Sequence, residues 1–186
     1  RVRYLVKHAL PPCDCATICN RTYNPTRFKS IGVQSDGSVI MGDHLVAILN
    51  SGAIANEFLK LMSNGSVDTS FNANGIGFQT INPSYVRAIA SYPNGKVVIG
   101  GEFDLINNTV RPKIARLNED SSLDSSFQLN FSGLGDSFLS FRDVYHIALQ
   151  TDGKLVVSGS FNYRVNGQSK SNLVRLNSDG SIDSNF

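Results

Sequence analysis

The chain has 186 residues, of which 41% are apolar and 17% charged, and its net charge is +2. That length holds one domain or two small ones, and the composition, short of charge and rich in turn residues, is that of a globular protein with many turns. No run of 18 or more apolar residues occurs, which excludes a membrane-spanning helix, and no leader with a small-residue cleavage site is visible.

The first 27 residues match no later part of the chain and are expected to form a separate arm. Residues 1–30 carry Arg1, Arg3, Lys7, Arg21, Arg27 and Lys29 against Asp14 alone, while the remainder is mildly acidic. A basic arm of this kind suits an acidic partner, nucleic acid or a membrane surface, and the plainer reading is a solvated terminus. No nucleic-acid partner is expected. The chain opens on Arg1, as a processed form or a fragment does.

Cys13, Cys15 and Cys19 all fall in the string PPCDCATIC, with His8 upstream. Together they offer four soft ligands for a tetrahedral zinc, but a CxC pair lacks the two-to-four-residue knuckle of common zinc sites. One disulfide with a spare thiol and three free thiols are the alternatives. The expectation is no metal and no cofactor. The body has no cysteine, so it holds together without disulfides.

From Ile31 onward the chain repeats itself. The strings IGVQSDGSVIMG, IASYPNGKVVIGG and IALQTDGKLVVSG begin at Ile31, Ile89 and Ile147, 58 residues apart each time. Each is followed by a second string, KLMSNGSVDTSF, RLNEDSSLDSSF or RLNSDGSIDSNF, ending at Phe71, Phe127 and Phe186. Two anchors recurring in one order define three units, starting near residues 28, 86 and 144, within a repeat domain of residues 28–186.

The middle copy predicts four strands. Val86 to Ala90 alternates as a half-buried strand does, and a Pro-Asn-Gly turn follows. Gly95 and Gly153 are expected at positive φ there, with Gly37 at the same place in the first copy, so Gly95→Val should destabilise and Lys96→Ala should not. Lys96 to Phe103, with its β-branched run, predicts a strand buried on both faces. The polar stretch from Asp104 to Pro112 predicts a turn, Lys113 to Asn118 a third strand and Ser122 to Phe127 a short fourth. No segment has a sustained helical period, so the class is all-β. Ile89, Val98, Ile147 and the recurring Phe71, Phe103, Phe127, Phe161 and Phe186 are expected in the core. The first copy departs after its second strand, where residues 45–58 are more apolar than their counterparts, as a terminal repeat does.

The pattern IAxxxDGKxxxxGxF, followed after a variable loop by RLNxDGSxDxxF, resembles the delta-60 repeat, a β-propeller-like repeat of bacterial surface proteins and some phage proteins. The resemblance covers residues 28–186 and is strongest in the second and third copies. Gly42 and Asp43 stand where the middle copy has Gly100 and Gly101, Ser158 replaces the first of that pair, and Ser121 replaces a turn glycine. The resemblance implies a β-propeller-like fold of three repeats with four strands each, and no catalytic residue.

Asp68, Asp124 and Asp183 each precede a repeat phenylalanine by three positions, where a carboxylate fixes a turn by accepting backbone N–H bonds. Lys60, Arg116 and Arg175 are expected to pair with them or with nearby carbonyls. Asn177, Asp179, Ser181 and Asp183 place oxygens at alternate positions, but the glycine offset and missing Glu do not fit a calcium loop. GxSxG, HExxH and the P-loop are absent, so no enzyme is expected. The absence of Trp weakens a sugar-stacking site.

The expected function is a non-catalytic scaffold for assembly or adhesion, extracellular, on a cell surface or in a virion. Its rival is a glycan- or other ligand-binding module using residues 104–112 and 162–171, where the copies differ most. Three blades fall short of the roughly four to eight that close a propeller, so protein partners or identical subunits are expected on the open faces.

Overall fold

The computed structural model describes residues 29–48, 54–71, 78–79, 85–106, 108–129, 140–165 and 168–186. The arm at 1–27 lies outside the described residues, and His8, Cys13, Cys15 and Cys19 with it.

Each repeat forms one main antiparallel sheet, and three short strands make a small fourth one. The first holds β1 (Ser30–Val33), β2 (Val39–Ile48) and β3 (Ile54–Leu61) in that order. After the short β4 (Phe78–Gln79), the second begins with β5 (Tyr85–Ser91) and β6 (Val97–Glu102). A small hairpin, β7 (Leu105–Ile106) and β8 (Thr109–Val110), precedes β9 (Ile114–Leu117), and the sheet order is β5-β6-β9. The third sheet is β10 (Ser140–Leu149), β11 (Leu155–Val165) and β12 (Gln168–Leu176). The fold is all-β, and no described residue is helical.

In every repeat the fourth strand shrinks to one bridge: Leu61 with Val67, Leu117 with Leu123, Leu176 with Ile182. It stays short because Asp68, Asp124 and Asp183 follow at once and turn the chain.

Burial in β5 alternates, with Val86, Ala88 and Ala90 covered. β6 is covered on both faces over Val97–Gly101, because it is the middle strand of the middle sheet. The tight turns close through the glycines expected to do so. Gly37, Gly95 and Gly153 sit at φ of 80°, 80° and 81°, each donating its N–H to the carbonyl three residues earlier. Ser121 adopts φ 67° where Gly65 and Gly180 adopt 83° and 90°, so the second repeat makes the same turn with a side chain in the left-handed region.

The polar stretch after β6 is more ordered than its composition suggests. It folds into the β7–β8 hairpin, whose β7 pairs with β4 and whose Ile106 is buried. Asn108, at φ 62°, turns the hairpin. The counterpart in the third repeat is a continuation of the long β11–β12 hairpin, paired out to Val165 and Gln168. In the first repeat β2 and β3 pair out to Ile48 and Ile54, so the apolar departure at residues 45–58 extends a hairpin.

The sheets stack in sequence order, β5 against β1 and β2, β10 against β5 and β6. The core is therefore two apolar layers, each between neighbouring sheets. One gathers Ile40, Phe58, Phe71, Val86, Ile99 and Leu117, the other Val98, Ile114, Phe127, Val144, Leu155 and Leu176. Glycine permits the close approach: a Cβ on Gly42 would lie 2.7 Å from Val86 Cγ1, and one on Gly100 2.5 Å from Val144 Cγ1.

Three core expectations are corrected by this stacking. Ile89 and Ile147 are only partly buried, because each lies at the rim of an inter-sheet layer. Phe186 is 39% exposed where Phe71 and Phe127 are 7% and 0%, because among the described residues no strand lies over that face of the third sheet.

Candidate functional site

The repeated charged residues converge in each unit. Lys60, Arg116 and Arg175 lie on the third strand, and the aspartate eight residues later returns beside them because its N–H bonds their own carbonyl, at 2.9 Å in all three repeats. One carboxylate oxygen then closes the turn. Asp124 Oδ1 accepts the N–H and hydroxyl of Ser126 at 2.9 and 2.6 Å, Asp68 Oδ1 those of Ser70 at 3.0 and 2.6 Å, and Asp183 Oδ1 the N–H of Asn185 at 3.0 Å.

The other oxygen meets cations. Asp124 Oδ2 receives Arg116 Nε at 2.8 Å and Lys96 Nζ at 2.7 Å, and Asp183 Oδ2 receives Arg175 Nε at 2.9 Å and Lys154 Nζ at 2.8 Å. In the first repeat Ser38 stands in the lysine's place, and Asp68 has Lys60 alone, at 3.9 Å. The recurring phenylalanine completes each unit, with the guanidinium of Arg116 5.0 Å from the Phe127 ring and that of Arg175 4.7 Å from Phe186. Lys96 is thus part of an ion cluster, which corrects the expectation that Lys96→Ala is harmless.

Burial pushes the Asp124 carboxyl up, but hydrogen bonds from Lys96, Ser126 and Arg116 outweigh it and hold the group far below the ordinary carboxylate range. At Asp183 the Lys154 bond leads, aided by the Asn185 N–H and Arg175, and lowers the pKa to about 2. Carboxylates held this way stay ionised and paired, a poor starting point for proton transfer near neutral pH.

A different cluster joins the second and third sheets. Arg87 bonds Glu102 through Nη2 at 2.9 Å, and its Nε lies 2.8 Å from Asp143 Oδ2 without the alignment of a hydrogen bond. Burial, with Glu102 nearby, raises the Asp143 pKa against the pull of Arg87 and Lys113.

The candidate calcium oxygens are engaged elsewhere: Asp179 Oδ1 accepts the Ser181 N–H and hydroxyl, and Asn177 donates to Ser181 Oγ. Among the described residues no group of three or more His, Cys, Asp or Glu side chains is placed to hold a metal, and no helix is long and apolar enough to cross a membrane. Residues linking sheet to sheet were not legible as such in the sequence. Gln34 Nε2 donates to the Gly95 carbonyl at 3.0 Å, Tyr92 Oη to that of Gly153 at 3.2 Å and Arg116 Nη1 to that of Ser178 at 2.6 Å. Their signal was the period itself, since each donor reaches a turn about 60 residues onward.

No curated protein matches the chain. Residues 34–71, 93–127 and 150–186 each match the family model described as a domain of unknown function (DUF5122) beta-propeller. These segments run from the first turn of a repeat to its terminal phenylalanine, the stretch that holds the ion cluster. With more than half of its residues matched in three successive copies, the chain belongs to this β-propeller repeat family.

Proposed function

We propose that the chain is a non-catalytic propeller scaffold that supports assembly or adhesion, carried on a virion such as a phage tail or on a bacterial surface. The observation that carries this reading is the fate of the repeated charges. Asp68, Asp124 and Asp183 are engaged by cations and turn groups of their own repeat, so they serve the architecture. The resemblance of the repeat to delta-60 proteins of bacterial surfaces and phages adds the setting. Antibody labelling of intact cells and particles from the source tests it. Label at the outer surface supports the reading, and protein found only inside intact cells overturns it.

The rival reading is a ligand-binding module, most plausibly for glycans. It is favoured by the β7–β8 hairpin, whose Asn108, Thr109 and Val110 are exposed on a rigid base. A glycan array separates the two, since a purely architectural module gives no dose-dependent signal.

A further inference from the structure

Both turns of every repeat place an Asn or Asp directly before the residue that takes positive φ: Asp36, Asn94 and Asp152 in the first turn, Asn64, Asp120 and Asp179 in the second. Amide or carboxylate, the side-chain Oδ1 accepts the N–H two residues onward, from 2.8 Å at Asp36 to 3.3 Å at Asn94. Asn64 and Asn94 are each followed by glycine, and that pairing is chemically reactive. No side chain crowds the glycine nitrogen, so it can attack the asparagine Cγ. A C–N bond forms, the side-chain amide leaves as ammonia with the proton that the nitrogen gives up, and a five-membered imide results. Water then opens the imide at the side-chain carbonyl to give aspartate, or at the main-chain carbonyl to give isoaspartate.

Both asparagines are exposed, so the grip on the reacting atoms separates them. At Gly65 the attacking N–H donates to the Met62 carbonyl at 2.8 Å and the glycine is buried. Asn64 Oδ1 is held there by both the N–H and the hydroxyl of Ser66, at 2.9 and 2.7 Å. At Gly95 the same bond, to the Tyr92 carbonyl, is 3.1 Å and the glycine is half-buried. Asn94 Oδ1 has the Lys96 N–H alone, at 3.3 Å.

We infer that Asn94 is a site of spontaneous deamidation in the folded chain, while Asn64 is protected by its turn. The aspartate product is one that the fold already accepts. NGK becomes the DGK of the third repeat, where Asp152 Oδ1 takes the Lys154 N–H at 3.1 Å. The isoaspartate product instead adds a carbon to the main chain within a turn that is also a joint. The Gly95 carbonyl accepts Gln34 Nε2 at 3.0 Å and the Pro93 carbonyl accepts Ser35 Oγ at 3.3 Å, both from the first sheet's turn. Formation of isoaspartate at Asn94 therefore loosens the contact between the first and second sheets as the protein ages.

The test holds the full chain in mildly alkaline buffer, one portion native and one in urea, and follows each asparagine by trypsin digestion and tandem mass spectrometry. Residues 88–96 are released as one peptide in which Asn94 is the single asparagine. Native protein is expected to convert at Asn94 severalfold faster than at Asn64, and the two rates should converge in urea, where neither turn exists. Ser66→Ala, its fold checked by circular dichroism, frees Asn64 Oδ1 from the hydroxyl and should raise the Asn64 rate toward that of Asn94. The isoaspartate form, separated by chromatography, should melt below the Asn94→Asp variant. An Asn94 that stays intact in the native protein while it converts in urea overturns the inference, as does a native Asn64 rate equal to or above that of Asn94. A rate difference that persists in urea would place the cause in the local sequence and overturn it too. An Asn64 rate indifferent to Ser66→Ala would remove the protection assigned to its turn, and equal melting of the two Asn94 products would remove the loosened joint.

Discussion

Val144 rests directly on Gly100: its Cγ1 occupies the space in which a Cβ on that glycine would come to 2.5 Å. Ile147 Cδ1 closes on the same spot at 2.8 Å, so the second and third sheets meet with almost no clearance. Gly100→Ala is therefore expected to destabilise by about 1 to 3 kcal/mol through overpacking. Ser158→Gly, at the equivalent position of the third sheet, where no described strand lies over the face, should cost less. Urea denaturation of both variants measures the difference, and equal losses would remove the glycine joint from this account.

Gly153 and Gly180 separate two reasons for needing glycine. Both have positive φ, but a Cβ on Gly153 would meet nothing closer than Ser178 Cβ at 3.8 Å, whereas one on Gly180 would lie 2.7 Å from the Gln128 carbonyl oxygen. Gly153→Ala is expected to cost about 1 to 2 kcal/mol, the strain of a left-handed residue. Gly180→Ala should cost more, because it also pushes apart the backbone contact between Gln128 and Asp179, 2.9 Å in the folded chain. Thermal melts of the two alanine variants give the ranking.

Acid stability follows from two groups of opposite sign. Asp68, Asp124 and Asp183 have lowered pKa values, so their contribution is complete above the unfolded value of about 4 and fades as pH falls toward about 2 at Asp183. Asp143 is raised, so its contribution is complete below about pH 4 and is lost as pH climbs through its folded value. Asp143→Asn should flatten the melting temperature profile in the interval directly above about pH 4. Asp124→Asn should instead flatten the profile below about pH 4. Melting curves across this range check both, and a reversal of the two assignments would contradict the burial balance described for Asp143.

The repeat period, the turn glycines and the strand order were legible in the sequence because each depends on neighbours close in the chain. A Pro-Asn-Gly string sets the φ of Gly95 without help from elsewhere. What was less legible depends on which sheet covers which. Ile31, Ile89 and Ile147 share one sequence context, yet Ile31 faces outward and the other two lie at covered rims. Phe186 differs from Phe127 for the same reason. The β7–β8 hairpin escaped notice because β7 pairs with β4, a segment distant from it in the chain. The aspartates stood out by repetition, but the lysine two strands earlier that completes the cluster in two of the three repeats did not.

That uneven completion gives the last prediction, since one sequence position should carry different energies in different repeats. Asp124 holds Arg116 and Lys96 at 2.8 and 2.7 Å, with the Asp124 and Arg116 side chains nearly covered. Asp124→Asn keeps the Oδ1 bonds to Ser126 but leaves two cations without their carboxylate, one of them sheltered from water. The cost should be about 2 to 3 kcal/mol, toward the lower end for a buried pair because Lys96 remains partly solvated. Asp68 has only Lys60, at 3.9 Å, and the neighbouring position that carries Lys96 in the second repeat is Ser38, already engaged by Asp36 and Gln34. Asp68→Asn should therefore cost less than about 1 kcal/mol, the range of a weak ion pair. If the missing lysine is the cause, Lys96→Ser should lower stability and bring the later cost of Asp124→Asn closer to that of Asp68→Asn. A double-mutant cycle on Lys96 and Asp124 reads this directly. A coupling near zero between them, or equal costs for the two asparagine variants, would show that the cluster contributes nothing beyond its turn.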